Sequence, residues 1–483
     1  MSNVIEEKRE SLTMKNVPGD KVNERDLESG TTTIVASPDE QSQGMQRGSV
    51  ESLPESTKEA AERGTTTKGE SIVFVDGPIP DGGYGWIIVI CQFFSQLATW
   101  GMFTVYGVLI SWFTQNHTFG NTPPIMFAWI AGFGVSTAFW VSPLTSYMSK
   151  LFPLWVNLFI SQVVLSLGFI LAGFSTKIWQ LALTQGVMTG FGVGLNFMAT
   201  QPLISQWFLR RRALAMGLSS AGVGAGGLIF SFTTRLALQN HGVRIAYIIN
   251  GAIIFLIQMP TTILLKPRMR VVNPQFKGPR LSLFKNLGLV YLSLWSFFVM
   301  FGYMIALLSV ASYATIGLGL SQAQGASIQA ALAAGQLIGR PGLGLILDAF
   351  GRVYMSSVVT FFAGFTCLVI WILAKSYGVM LLFAVLNGIL SGIFFSALGP
   401  LISEVVPLAD FSDALAIIWL VVAPITNFAA PMAFALNAYS KDVLHREGAT
   451  IYQISIALAG GANVVAAIAL MMVKKYQRKT QDV

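Results

Sequence analysis

Residues 377–402 read YGVMLLFAVLNGILSGIFFSALGPLI, twenty-six consecutive residues without a charge. At 1.5 Å per residue, such a run makes a helix of roughly 39 Å, enough to cross about 30 Å of hydrocarbon. Comparable runs lie on both sides of it. Beyond it come 414–437 and 449–472, and before it 353–374, 324–346 and 287–312. Across a basic segment stand 245–265, 213–235, 179–203, 152–175, 124–147 and 84–113. The pattern predicts an all-α polytopic membrane protein with twelve transmembrane helices, six plus six, each half a bundle.

Composition agrees with this reading. Charged residues are 11% of the 483-residue chain and hydrophobic ones 53%, whereas a soluble domain carries about 25% charged residues to cover its surface. The formal charge of +8 is no nucleic-acid signature. Residues 1–80 hold nine Lys/Arg against fifteen Asp/Glu, and the other 403 hold twenty-two against eight, gathered at loops and helix ends. The two cysteines, Cys91 and Cys367, lie in apolar runs and indicate neither a disulfide framework nor a metal site. No phosphate-binding motif, haem pattern or catalytic acid–base pair is evident in the membrane region. An enzyme, an ATP-driven pump and a cofactor are therefore not expected.

The predicted domains are a tail (1–80), a first bundle (81–265), a central loop (266–286), a second bundle (287–473) and a short C-terminal tail (474–483). The first tail is rich in Ser, Thr, Glu and Gly without periodicity and reads as disordered. Because the first apolar run begins only after residue 83, no cleavable leader is expected. Its Ser/Thr density reads as solvated filler or as a surface for a regulatory or ancillary protein.

Orientation follows the basic residues. With the tail cytosolic, fifteen Lys/Arg fall on that side: Lys150, Arg210, Arg211, Arg212, Arg352, four in the C-terminal tail and six between Lys266 and Lys285. The opposite side holds six: Lys177, Arg235, Arg244, Lys375, Lys441 and Arg446. Both termini are predicted to be cytosolic. The sequon at Asn116 then lies in the first external loop, where it is a candidate glycosylation site.

An unpaired charge inside a span is costly and is a functional hypothesis by default. Arg340, in the eighth run, has no acidic residue within four positions. It reads either as the contact for an anion in a central cavity or as a helix lock on backbone carbonyls. Asn196, Asn387 and Asn427 read as cavity-lining amides or as bridges between helices, as do Gln185 and Asn250. Gly339, Gly342 and Gly344 are expected to allow close helix approach. Beyond them, Asp348 ends its helix and can cap a neighbour, and Arg352 can reach Asp348 from one turn on. That cluster reads as a gate at the cytosolic rim, with Glu404 nearby. Arg210, Arg211 and Arg212 read as topology anchors that touch lipid phosphate.

Asp81-Gly82-Gly83-Tyr84-Gly85-Trp86 resembles the first signature of the monocarboxylate transporter family within the major facilitator superfamily. Trp207 to Gly217, WFLRRRALAMG, resembles the second signature, and Gly344 to Arg352 resembles the superfamily's loop motif in its second half. The counterpart near Ser146 to Lys150 is degenerate. The likeness covers about residues 80–475 and is nearest to fungal monocarboxylate permease homologues. It implies a major facilitator fold working by alternating access. In animal members a lysine in helix one and an Asp/Arg pair in helix eight handle proton and carboxylate. By motif position these fall on Thr104, Gln336 and Arg340, so the chain keeps the arginine alone.

The resulting expectation is a secondary transporter of a small organic acid acting as facilitator or exchanger, multi-pass in the plasma membrane or alternatively in the vacuole. The alternatives are a proton-coupled monocarboxylate symporter, a permease for a neutral metabolite or vitamin such as glycerol or riboflavin, and a non-transporting sensor. A small-molecule substrate and membrane lipid are the expected partners.

Overall fold

The computed structural model describes residues 33–35, 72–75, 79–103, 106–120, 122–272, 281–407 and 410–481. Within the segment read as disordered, short strands stand at β1 (Thr33–Val35) and β2 (Ile72–Val75). They pair in parallel, Thr33 beside Val73, in a three-stranded sheet with β3 (Met269–Val272). The rest of residues 1–78 and residues 273–280 of the central loop, including Lys277 and Arg280, lie outside the described residues.

The apolar runs are helical, since in lipid a backbone finds hydrogen-bond partners only within itself. The first run is α1 (Gly85–Ala98), α2 (Trp100–Phe103) and α3 (Tyr106–Gln115). It breaks near Thr99, and Thr104 lies outside the described residues. Next come α4 (Pro124–Trp140), α5 (Ser142–Leu151), α6 (Leu154–Ala172) and α7 (Ile178–Leu181). A π-helical segment, Ala182–Met188, leads from α7 into α8 (Thr189–Trp207). The long α9 (Arg212–Leu264) is two limbs meeting at Gly242, whose φ of 76° no ordinary helix contains.

The second half holds α10 (Leu287–Ser312), α11 (Gln322–Phe350) and α12 (Arg352–Phe365). After α12 a π-helical segment, Thr366–Trp371, precedes α13 (Tyr377–Ser391) and α14 (Ile393–Val405). Then follow α15 (Phe411–Asp442) and α16 (Gln453–Gln481), which carries helix on through residues expected to be a tail. Asn286 caps α10 through Gly288 N at 2.9 Å, and Ser321 with Gln324 forms a capping box on α11.

Among the described residues, nine stretches are long and apolar enough to cross a membrane. The expected even spans are modified by local chemistry. Pro143 starts a new helix after Val141, so the run 124–147 is α4 plus α5. The run 377–402, read above as one helix, turns at Gly392 between α13 and α14.

The first limb of α9 packs on α1, and its second limb on α6; α6 also packs on α8. In the second half α10 and α12 pack on α16, and α11 on α13. The halves meet where α9 lies against α11 and α4 against α15. Large apolar side chains face outward all round, among them Phe232, Leu256, Ile338 and Phe350, each about two-thirds exposed or more. Water would penalise that surface, whereas lipid does not. The interior holds many amides and hydroxyls, but among the described residues only three charged side chains are buried: Arg212, Arg340 and Asp413.

Candidate substrate site and its charged closure

Arg340 sits on α11 with no exposed surface. Its Nη1 donates to the carbonyl of Ser220 on α9 at 2.6 Å, and its Nη2 to Gln336 Oε1 at 3.0 Å. The Phe395 ring of α14 lies 4.6 Å from the guanidinium carbon, a cation–π distance. Tyr303 of α10 donates to the same Gln336 oxygen at 3.4 Å. Nε has no partner. None of these hydrogen bonds goes to a carboxylate. The positive charge is thus held by dipoles and an aromatic face, and one of its arms reaches from the second half of the chain to the first.

Close helix approach makes that reach possible. A Cβ on Gly217 would meet the Arg340 carbonyl, and one on Gly344 would meet that of Ala213. Gly339 similarly lies against Ile389. Gly342 differs from expectation: open space surrounds it, because it points away from α9 and α13. Beside the arginine runs an aromatic layer. Phe139 of α4 stacks on Trp419 of α15 with centroids 4.1 Å apart. Phe197 and Phe394 meet Trp419 edge-on at 5.5 Å each.

The other named amides are dispersed. Asn196 accepts from Ser95 at 2.6 Å and donates to Gln258 at 3.3 Å, tying α8 to α1 and α9. Asn387 donates to Thr366 at 3.1 Å, tying α13 to the α12 run. Asn427 lies against Gly132 of α4, its oxygen buried without a partner. Only Gln336 is brought to Arg340. Asn116 is exposed just past α3.

About eight residues beyond Arg340, roughly 12 Å along α11, the charged residues converge. Asp348 Oδ2 accepts from Leu214 N at 2.8 Å and Oδ1 from Ala213 N at 3.2 Å, capping α9. Arg352 returns to Asp348 at 3.0 Å, reaches Glu404 at 3.6 Å and donates to Leu209 O at 2.6 Å. Asp81 binds the turn just before that helix, accepting from Leu209 N at 2.7 Å and Arg210 N at 2.8 Å. Its backbone is left-handed, φ 50°, and Gly83 follows at φ 57°, a tight turn that Asp and Gly tolerate. The turn sets Trp86 edge-on to Phe208 at 5.0 Å and Tyr84 5.6 Å from Trp207. Gly82 has open space around it.

Arg210 and Arg211 are exposed, but Arg212 corrects the reading as a lipid anchor. It is buried, donating to Phe208 O at 2.8 Å, Ser205 O at 3.1 Å and Ser403 Oγ. Burial favours a planar donor that can satisfy several oxygens at once. A second closure joins α5 to α15: Lys150 Nζ lies 2.9 Å from Asp413, which also accepts from Ser146 at 2.8 Å. Sequence reading missed this pair, whose members stand 263 residues apart. The degenerate motif near Ser146 lacks an acid, and α15 supplies one in its first turn.

Residues 88–431 match the Major Facilitator Superfamily. The chain belongs to that superfamily. It is 31% identical over 352 residues to the uncharacterized transporter ESBP6 of Saccharomyces cerevisiae, across 70% of this chain and 52% of that protein. It is also 31% identical over 200 residues to monocarboxylate transporter 13 of Bos taurus, across 41% and 46% of the two. The chain thus spans about half the length of these relatives. Its fold is similar to that of the proton:xylose symporter XylE, with a TM-score of 0.65 and 15% identity, over 80% of this chain and 95% of that one. Those proteins are transporters by name, and the superfamily match together with the nine candidate spans among the described residues makes this chain a multi-pass membrane protein.

Proposed function

We propose that this protein is a twelve-helix secondary transporter of two six-helix bundles, 81–265 and 287–473, that carries a small monocarboxylate-like organic acid as facilitator or exchanger. The observation that carries the reading is Arg340, buried between the bundles without a carboxylate partner. A desolvated guanidinium favours an anion, and its planar fork matches a carboxylate in bidentate fashion. Because Nη1 is held by Ser220 O across the interface, an arriving carboxylate would take that arm from α9 and loosen the α9–α11 contact. Substrate binding and bundle movement would thereby be linked. The likeness to monocarboxylate transporter 13 supports this substrate class.

The basic end carries Lys150, Arg210 to Arg212 and Arg352, and is assigned to the cytosol by the positive-inside rule. The charged latches there hold the halves together on that side. The test is counterflow of labelled monocarboxylates in proteoliposomes. Saturable counterflow that Arg340→Gln abolishes at equal reconstitution supports the proposal. Counterflow of neutral metabolites alone, unchanged by Arg340→Gln, would make the arginine a helix lock.

A further inference from the structure

A cavity lies within the second half of the chain, lined by Tyr303, Cys367, Asn387, Ser391 and Asn463 among others. Its volume, about 10 Å³ of room for a water's centre, is one molecule's worth. Ser391, Asn387 and Asn463 are each more than nine-tenths buried. Ser391 Oγ has no partner. Both amides form their hydrogen bonds through Nδ2, Asn387 to Thr366, Ala363 O and Cys367 Sγ, Asn463 to Ala459 O. Each amide oxygen therefore remains as an acceptor. A dry site would leave the buried Ser391 hydroxyl unsatisfied and both amide oxygens without a partner.

We infer that the cavity holds one ordered water that donates to the oxygens of Asn387 and Asn463 and accepts from the Ser391 hydroxyl. Three hydrogen bonds are what a buried water ordinarily makes. The water joins α13 to α16 at the point where α13 gives way to α14. The next residue, Gly392, lies so close to Arg340 that a Cβ there would fall 2.7 Å from Arg340 Cγ. One turn on, Phe395 carries the guanidinium and Ser396 donates to the Arg340 carbonyl at 3.1 Å. On the opposite wall, Asn463 packs on Gly302, beside Tyr303 and its bond to Gln336. Ser391 and Asn463 are thus positioning residues for Arg340. This last consequence rests on the proposed anion site, whereas the water does not.

The two cysteines provide the test. Cys367 lines the cavity, whereas Cys91 is buried in an apolar cluster with Ile88, Leu158 and Leu203. X-ray radiolysis of the full chain in nanodiscs generates hydroxyl radicals from bound water, and oxidation of each cysteine is read by mass spectrometry. Cys367 is expected to oxidise several-fold faster than Cys91, and Asn463→Leu to lower its rate to that of Cys91. Equal rates in the unaltered protein, or a Cys367 rate unchanged in Asn463→Leu, would overturn the water. Ser391→Ala, a smaller change, gives the same reading if the leucine variant does not fold. Positioning is read separately: Ser391→Ala should raise KM for the anion with little change in Vmax. An unchanged KM alongside a lowered oxidation rate would overturn the positioning role and leave the water standing.

Discussion

Asp81 and Asp348 both bind backbone N–H groups at the N-terminal end of α9, Asp81 taking Leu209 and Arg210 in the turn just before it and Asp348 taking Ala213 and Leu214 in its first turn. A helix start is a concentration of unpaired donors with partial positive charge, so two carboxylates on one start are both favoured. They differ in origin. Asp81 precedes α1 in the same half as α9, whereas Asp348 arrives from the other half.

That difference separates two substitutions. Asp81→Asn removes a contact within one half and should lower thermal stability and abundance, leaving the conformational balance alone. Asp348→Asn should leave abundance near normal and favour opening at the basic end by about 1 kcal/mol, roughly fivefold in population. Thermal denaturation in detergent and spin-label distances between α5 and α15 measure the two quantities. Equal loss of stability in both variants would remove the distinction.

The Lys150–Asp413 pair is the second tie between halves, with Asp413 the more buried partner. Breaking a partly buried pair leaves one charge unpaired, so each single neutralisation should cost more than an exposed pair's usual 0.2–1 kcal/mol. The double neutralisation Lys150→Gln/Asp413→Asn should recover part of the loss. A double-mutant cycle on the opening equilibrium is expected to give a coupling of about 1–3 kcal/mol; additive effects would show that the pair does not act as a latch.

Gly217 offers a test of the α9–α11 contact on which Arg340 depends. A methyl group there would strike the Arg340 carbonyl, and backbone cannot move aside as a flexible side-chain end can. Gly217→Ala should cost about 1–3 kcal/mol, the usual overpacking range, and depress transport beyond its effect on abundance. Gly342→Ala, facing open space on α11, is the matched control and should be nearly silent. Comparable transport at equal abundance in both variants would dissociate Arg340 from the close contact.

Much of this architecture is legible in sequence because lipid imposes simple length and hydropathy rules. The geometry of Asp348 with Arg352 is legible for a related reason: they stand four residues apart across the glycine turn, Gly351, that joins α11 to α12. The role of Asp81 is not, since its partners stand 128 and 129 residues away. Lys150 with Asp413 is hidden likewise. Arg212 shows a further limit: Arg210 and Arg211 share its composition and neighbourhood but stay in the exposed turn, whereas Arg212, the first residue of α9, turns inward to Ser403. Breaks at Thr99, Val141 and Gly392 fall inside apolar runs, where averaged hydropathy does not register them.

Energy coupling follows from where the acids are. A proton symporter needs a group that gains and loses a proton as access switches, with substrate affinity linked to its state. Arginine does not release its proton in proteins, and Gln336, its side-chain partner, does not titrate. Asp81 is held by backbone N–H groups, Glu404 faces Arg352, and Asp413 faces Lys150. All three belong to the closed basic end, about two helical turns or more from Arg340, where an outward-facing cavity would not expose them. The expected outcome is facilitated diffusion or exchange. Proteoliposomes loaded with a pH-sensitive dye, with protein-free liposomes subtracted for passive permeation of the neutral acid, provide the measurement. Entry of one proton with each substrate, and accumulation driven by a pH gradient alone after that subtraction, would replace the facilitator with a symporter. Asp413→Asn and Glu404→Gln would then identify the carrier, because loss of the gradient-driven component with counterflow retained marks the group that moves the proton.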